Sequence, residues 1–411
     1  MLKRISADKL IPGMFLHEFC GSWMDHPFWK AKFVLSDKAD MKRIADSGIK
    51  EVWIDTSKGL DIQGGVSQAE VKQQIEEELE FAASRPMEFT IEVTSFSDEV
   101  DRATALALCK RSKAAVTSLF AEARLGKAID VQECLPLVEE ISESVYRNPG
   151  ALISVARLKH RDEYTYMHSV AVCALMVALG KQLGLKPDLL REAGLAGLLH
   201  DLGKAQIPLA ILNKPGKLTD EEFTTMKGHP EHGHELLAEM NVVTPAVLDV
   251  CLHHHERIDG TGYPHRLKGE ELSLMAKMGA VCDVYDAVTS NRPYKAGWDP
   301  AESLRQMAQW KGHFDPAVFQ AFVKTVGIYP TGSLVRLKSG RLAVVTEQNP
   351  AALLSPKVKV FYSTKSNQRV MPEDLNLAGP WIQDKIVACE SPGDWPFTDL
   401  QQMWSGSVVK I

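Results

Sequence analysis

The chain has no apolar run long enough to cross a bilayer, no CxxC pair, no low-complexity tract and no convincing internal repeat. Its longest apolar run, Val170 to Leu179, falls well short of the roughly 20 residues a membrane helix needs, and reads as a core helix. The opening residues, MLKRISADKL, carry charge but no apolar h-region, so no secretory signal is expected and the chain reads as cytoplasmic. Cysteines Cys20, Cys109, Cys134, Cys173, Cys251, Cys282 and Cys389 are odd in number and lack metal-pair spacing. They read as reduced, mostly buried thiols. Strong charge of one sign is missing too. A net charge of -6 argues against a coat for polymeric nucleic acid or a binder of anionic membranes. It leaves room for a local basic pocket holding a small phosphate ligand.

What the chain does have is an ordinary globular composition, 45% hydrophobic and 24% charged, over 411 residues, enough for two or three domains. Four segments are expected. Residues 1–66 read as a small α/β domain, with a short strand within 32–36, a helix over 37–47 capped by Ser36, and a strand over 51–55. Residues 67–150 read as a helical linker or regulatory region, with a polar helix over 67–84 and longer ones over 97–125 and 131–146. In these, apolar positions such as Val116, Leu119 and Phe120 recur every three or four residues. Residues 151–328 are almost wholly helical in pattern. Helices are expected over 166–183 and 188–200, from the capping-box spacing at Thr219–Glu222, from Thr244-Pro245 to about Asp259-Gly260, and over 273–290. Residues 329–411 change to period two over 333–337, 341–345 and 357–361, with Ser339-Gly340 as a turn, and read as a small β-rich appendage.

The chemistry is concentrated in histidine. Of thirteen histidines, all but His17 and His26 lie between His160 and His313. Neutral imidazole and carboxylate are a common donor set for first-row divalent metals. His200-Asp201 closes an apolar helix, and Leu202-Gly203 is expected to fray its end so that both side chains can face one site. Alone, such a pair is more often a helix terminus with a surface histidine. The other segments shift the balance. His168 begins an apolar helix, His229 precedes Pro230 at a bend, and His254-His255 follow Val250 and Cys251 on an apolar face. Asp283 lies in a stripe of small residues, Ala276, Gly279, Ala280 and Ala287. Several helices each presenting a histidine or aspartate to the core are hard to explain by packing, because unpaired buried polar groups are costly.

These segments, in this order, resemble the HD-GYP family of cyclic di-GMP phosphodiesterases. The resemblance rests on His200-Asp201-Leu202-Gly203-Lys204, His254-His255-Glu256, Asp259-Gly260-Thr261-Gly262-Tyr263-Pro264 and Asp283-Val284-Tyr285-Asp286-Ala287. Further matches are Tyr164-Thr165-Tyr166-Met167-His168, Lys214-Pro215-Gly216-Lys217-Leu218-Thr219, Arg292-Pro293-Tyr294-Lys295 and Gly312-His313-Phe314-Asp315-Pro316. The first third resembles, more diffusely, the small domain of unknown function often fused ahead of such modules. The resemblance implies a mainly α fold, an HD-type helical bundle flanked by the small α/β domain and the β appendage. It also implies a centre of two divalent metal ions, iron or manganese, sometimes with a third.

Carried over by position, the ligands are His168, His200, Asp201, His229, His254, His255 and Asp283, with Asp201 bridging. The implied reaction is in-line attack of a metal-bridging hydroxide on phosphorus, opening cyclic di-GMP to pGpG and conceivably onward to GMP. Lys204 would neutralise phosphate oxygens or steer the leaving alkoxide. Arg292 and Lys295 would hold the second phosphate. Tyr263 would pack on a base or shape the pocket. Asp286 would orient a ligand histidine or accept a proton, and the sequence does not separate the two. Lys204 as a helix cap and Arg292 in an ion pair are the plainer alternatives. His232, His234, His253 and His265 are expected to be ordinary solvated residues.

Two positions depart from the family. Tyr164 stands where some members carry a glutamate serving a third metal, which favours two metals here. Arg266 stands where members usually show glycine after the Gly-Tyr-Pro triplet. A phosphohydrolase of another nucleotide and a non-catalytic receptor for cyclic di-GMP remain alternatives. Protein partners, diguanylate cyclases among them, and a homodimer are compatible with the long helices.

Overall fold

The structure is a computed structural model that describes residues 1–20, 32–47, 49–84, 98–127, 130–157, 164–240, 243–290, 297–349 and 351–405. The chain divides into two compact units, residues 1–81 with 305–311, and residues 82–304 with 312–411.

The first unit is built on an antiparallel sheet of five strands in the order β3-β2-β4-β1-β5. They are β1 (Leu2–Ser6), β2 (Phe15–Phe19), β3 (Phe33–Val34), β4 (Glu51–Asp55) and β5 (Val66–Ser67). Helix α1 (Lys38–Asp46) and helix α2 (Gln68–Ser84) complete it. Met14, Leu16, Leu35, Ile44, Val52 and Ile54 form its buried core. Sequence patterning anticipates β3, α1, β4 and α2 but not β1, β2 or β5. The burial of β1 does not alternate cleanly, and β5 is two residues long, so neither shows the period of a half-buried strand.

The second unit begins with α3 (Asp98–Arg124), α4 (Leu135–Arg147) and α5 (Pro149–Arg157). Its centre is α6 (Tyr164–Gln182), whose residues from Met167 to Gly180 are all buried. A helix apolar on every side belongs inside a bundle, not at its surface. Around it run α7 (Pro187–Leu199), the short α8 (Leu209–Leu212), α9 (Asp220–Lys227), α10 (His229–Ala238), α11 (Pro245–His253) and α12 (Leu274–Thr289). Then come α13 (Pro300–Gln309), whose residues from Arg305 on belong to the first unit, and α14 (Pro316–Val326). Among the described residues, no helix is long and apolar enough to cross a membrane.

Several helices differ from expectation: α8, α13 and α14 are not anticipated singly, and α9 and α10 are separate. The chain forms an additional helix, α5, directly after Asn148, whose side chain accepts from Ala151 N at 3.0 Å. And α11 stops at His253, well before Gly260. There the His254 ring takes up the carbonyls of Val250 and Cys251, at 3.1 and 2.9 Å, and Gly260, at φ 77°, turns the chain back. The capping box at Thr219 is present as expected, its side chain accepting from Glu222 N while Glu222 accepts from Thr219 N.

The chain ends in a second antiparallel sheet, in the order β10-β6-β7-β8-β9. Its strands are β6 (Leu334–Leu337), β7 (Arg341–Glu347), β8 (Lys357–Ser363), β9 (Gln368–Asn376) and β10 (Ile386–Cys389). Helix α15 (Leu400–Ser405) brings Trp404 against Leu334, Leu342, Val344 and Phe361. All seven cysteines are free, five of them buried.

Candidate metal centre

Four helix ends or turns and the body of a fifth helix converge on one buried box of nitrogen and oxygen atoms. His168 comes from the first turns of α6 and His200 from the last residue of the α7 spiral. Asp201, at φ -99° and ψ 7°, leaves that spiral and starts a 3-10 turn over Leu202–Gln206. His229 opens α10, His254 and His255 follow α11, and Asp283 and Asp286 lie one turn apart on α12. His168, His200, Asp201, His229, His254, Asp283 and Asp286 are all buried.

Glycines set these approaches. A Cβ on Gly197 would stand 2.8 Å from Cys173 Cα, so α6 and α7 touch backbone to backbone beside His168 and His200. A Cβ on Gly203 would stand 1.9 Å from His229 O and 2.4 Å from Gly233 N. The α-helix gives way here to the 3-10 turn, as expected, and Gly203 also serves close approach. It lets the turn carrying Asp201 lie directly against the start of α10. Gly279 plays the same part on α12, where a Cβ would lie 2.9 Å from Val250 Cγ1. The expected small-residue stripe is present: Ala276, Gly279, Ala280 and Asp283 are buried, and Ala287 is half-buried.

The donor atoms fall into two groups, Asp201, His229, His254 and His255 in one, and His168, His200 and Asp283 in the other. Within each group the atoms lie within 4.8 Å of one another. Asp201 faces both. Its Oδ1 is 3.2 Å from His229 Nε2 and 3.8 Å from His254 Nε2, while its Oδ2 is 3.6 Å from His168 Nε2 and 3.5 Å from His200 Nε2. Asp283 Oδ1 lies 2.9 Å from His168 Nε2 and 3.7 Å from His200 Nε2, and its Oδ2 lies 3.7 Å from His255 Nδ1.

Three of the rings are oriented by their own backbone. The Nδ1 of His200 donates to Gly197 O at 2.8 Å, that of His229 to Met226 O at 2.7 Å, and that of His254 to Cys251 O at 2.9 Å. A carbonyl only accepts, so Nδ1 carries the proton and a neutral ring turns an Nε2 lone pair inward. His168 is held by a carboxylate instead, its Nδ1 2.6 Å from Asp286 Oδ2. Of the two roles considered for Asp286, this geometry supports the orienting one.

Protonation follows burial and charge. Burial pushes the His254 imidazole down to about 3 and holds His229 and His255 below the ordinary range. Burial works against the Asp201 charge, but the Lys204 ammonium, followed by the His200 and His229 rings, keeps its carboxyl well below the usual carboxylate range. Asp283 is likewise held low against burial, chiefly by the hydrogen bond from His168. His168 moves the other way, upward, because Asp283 and Asp286 outweigh its burial.

These residues fit a divalent cation. The Nε2 atoms of His229 and His254 are 3.3 Å apart, and both carry inward lone pairs. Metal–nitrogen bonds of about 2.1 Å place neighbouring donors roughly 3.0–3.4 Å apart. His200 Nε2 and Asp201 Oδ1 are buried and make no hydrogen bond. Around Asp201, the inward lone pairs of His200, His229 and His254 face an ionised carboxylate with no proton between them, and they repel it unless a cation accepts them all.

The remaining expected site residues are placed less uniformly. Lys204 ion-pairs with Asp201 Oδ2. Tyr263 stacks on the His255 ring, with centroids 4.8 Å apart and planes 25° apart. Arg292 and Lys295 lie outside the described residues. His253 bonds Asp249 at 2.7 Å and His265 at 3.0 Å and stays apart from the donor groups.

Sequence reading missed two supports. The buried Glu256 accepts from His265 N at 2.6 Å and Arg266 N at 2.8 Å, tying down the loop that carries Tyr263. Arg266 adopts φ 59° there, a conformation that suits glycine. Arg124, the last residue of α3, donates to Ile207 O at 3.0 Å and Lys204 O at 3.1 Å and so clasps the turn that follows Asp201. Glu256 stood in a quoted motif without a role. Nothing in the sequence pairs Arg124 with a turn eighty positions away.

Comparison with known proteins fits this geometry. Residues 151–318 match the family model described as HD domain, and residues 2–134 match a domain of unknown function (DUF3391). The chain is 54% identical, over 99% of its length and 96% of the relative's, to a cyclic di-GMP phosphodiesterase of Pseudomonas aeruginosa. It is 39% identical, over 47% of this chain and 51% of the relative, to a cyclic di-GMP phosphodiesterase response regulator of Xanthomonas campestris. A 3'3'-cGAMP-specific phosphodiesterase of Vibrio cholerae is 34% identical over 40% of this chain and 38% of its own.

Proposed function

The chain belongs to the HD-GYP family of cyclic di-GMP phosphodiesterases, and on that footing we propose that it is a metal-dependent hydrolase that opens cyclic di-GMP to pGpG. The observation that carries this reading is the Asp201 carboxylate, set between two groups of inward-facing donors with one oxygen toward each.

In this reading Asp201 would contribute a carboxylate oxygen to each of two cation positions. His168, His200 and Asp283 complete one position, and His229, His254 and His255 the other. The mixed imidazole and carboxylate donors suit iron or manganese. Cations held there supply the Lewis acidity that polarises a phosphodiester and acidifies water. The protein's own groups do the rest. Lys204, already beside Asp201, places positive charge next to the scissile diester. Arg292 and Lys295 take the second phosphate, and Tyr263 forms a wall over His255. Asp286 fixes the His168 ring so that Nε2 stays inward. The same centre acting on the remaining diester would carry pGpG on to GMP.

Chelation of the purified full-length protein is expected to abolish formation of pGpG, and readdition of Fe²⁺ or Mn²⁺ without oxygen to restore it, followed by nucleotide chromatography. A fully metallated protein that leaves cyclic di-GMP intact would refute the reading.

Asp286→Asn keeps the volume of the side chain but loses the carboxylate that holds His168. Metal affinity is expected to fall about 10–100-fold, as measured by competition with a chelator of known affinity. Unchanged affinity would remove Asp286 from its orienting role.

A further inference from the structure

Lys227 closes α9 two residues before His229, and it is exposed. Its ammonium lies 4.7 Å from the ring centroid of Phe223 and 5.4 Å from that of Tyr263. Tyr263 in turn stacks on His255. Lysine, tyrosine and histidine thus form one column running from solvent to the donor box. No acidic side chain among the described residues pairs with Lys227. The other cation beside the box, Lys204, is engaged by Asp201. Two aromatic faces hold an ammonium in place without neutralising it, whereas a carboxylate would cancel its charge. A charge kept fixed and unpaired at the rim of a site suits an anion that arrives with the substrate.

We propose that Lys227 is a substrate-binding residue that grips the dinucleotide through an anionic oxygen outside the diester being cleaved, using Tyr263 and Phe223 as its platform. The assignment rests on the phosphodiesterase reading above and adds a contact to it. A cyclic dinucleotide carries two phosphodiesters. While one lies over the donor box, the other remains charged, and beside Arg292 and Lys295 it can accept a further cation. Lys227 provides one from the side of α9 and the Tyr263 loop. The long lysine stem lets the ammonium leave the ring faces for a phosphate oxygen without moving the backbone.

The test compares metal-loaded full-length wild type, Lys227→Gln and Lys227→Arg on two substrates. Cyclic di-GMP has two diesters, whereas bis(p-nitrophenyl) phosphate has one and nothing for Lys227 to grip. Affinity is read separately with a slowly hydrolysed phosphorothioate analogue of cyclic di-GMP. For Lys227→Gln, KM for cyclic di-GMP and Kd for the analogue are expected to rise about tenfold, with kcat within about twofold. Both constants should also depend less on salt. Lys227→Arg is expected to stay near wild type, and all three proteins to cleave the single diester equally. Unchanged KM and Kd in Lys227→Gln would overturn the proposal, as would an equal loss on both substrates, which would mean a disturbed donor box. A wild-type protein that cleaves the single diester but neither binds nor opens cyclic di-GMP would overturn the substrate reading itself, and this contact with it.

Discussion

Asp201→Ala is expected to lower turnover of cyclic di-GMP by at least about 10³-fold and to leave the protein with substoichiometric metal. The expectation follows from where the two oxygens of Asp201 point. Oδ1 faces His229 and His254, Oδ2 faces His168 and His200, and no other side chain described reaches both groups so evenly. Loss of the carboxylate removes a donor from both positions at once. Asp201→Asn, which keeps the volume, should fail in the same way. A rival explanation is that Asp201 matters only as the ion-pair partner of Lys204. The double variant Asp201→Ala, Lys204→Met separates the two. A purely structural pair predicts that folding and metal content recover together, whereas a bridging ligand predicts a folded protein still poor in metal. His253→Ala serves as the control. Its ring bonds Asp249 and His265 rather than any donor, and metal content should stay at the wild-type level. Metal lost from His253→Ala would show that the donor set has been drawn wrongly.

Gly203→Ala should be the most damaging of the small substitutions. A methyl at this position meets backbone, His229 O and Gly233 N, and neither can swing away as a side chain would. The turn over Leu202–Gln206 must then separate from α10, at a cost of about 3 kcal/mol, typical of the upper range for overpacking. Because Asp201 and His229 sit on the two surfaces being forced apart, metal loss should accompany the lost stability. Urea unfolding and metal analysis on the same preparation check both. Wild-type stability with a full metal complement would contradict the packing described here.

The sequence showed chemistry more clearly than architecture. His168, His200, Asp201, His229, His254, His255 and Asp283 stand out because polar residues recur at the ends of apolar helices, and that pattern is local. The strands β6, β7 and β8 were legible from short local runs of apolar, strand-forming residues near the Ser339-Gly340 turn, although their burial alternates only in part. β9 was not. It is an edge strand exposed along most of its length and contains Pro372, so it lacks both alternation and a run of strand-forming residues. The end of α11 was misplaced because what stops it is the side chain of His254 bonding carbonyls one turn back, and composition does not reveal that. Helix α7 does end at Leu199 as expected, but the close approach that Gly203 permits was not legible. Only the position of α10 reveals it. Arg124 and Lys227 act through partners distant in sequence, or through ring faces, and neither leaves a periodic trace.

His200, His229 and His254 share one device: each ring donates to the carbonyl three residues before it. The aim of each ring is therefore written into a stretch of four residues and does not wait for the rest of the bundle. In a protein emptied of metal these three carbonyl bonds are expected to hold the rings near their inward aim against the repulsion of their lone pairs. Reloading then becomes a matter of diffusion and dehydration of the ion, with no search through ring orientations. Metal stripped from the folded protein is therefore expected to return without a refolding step.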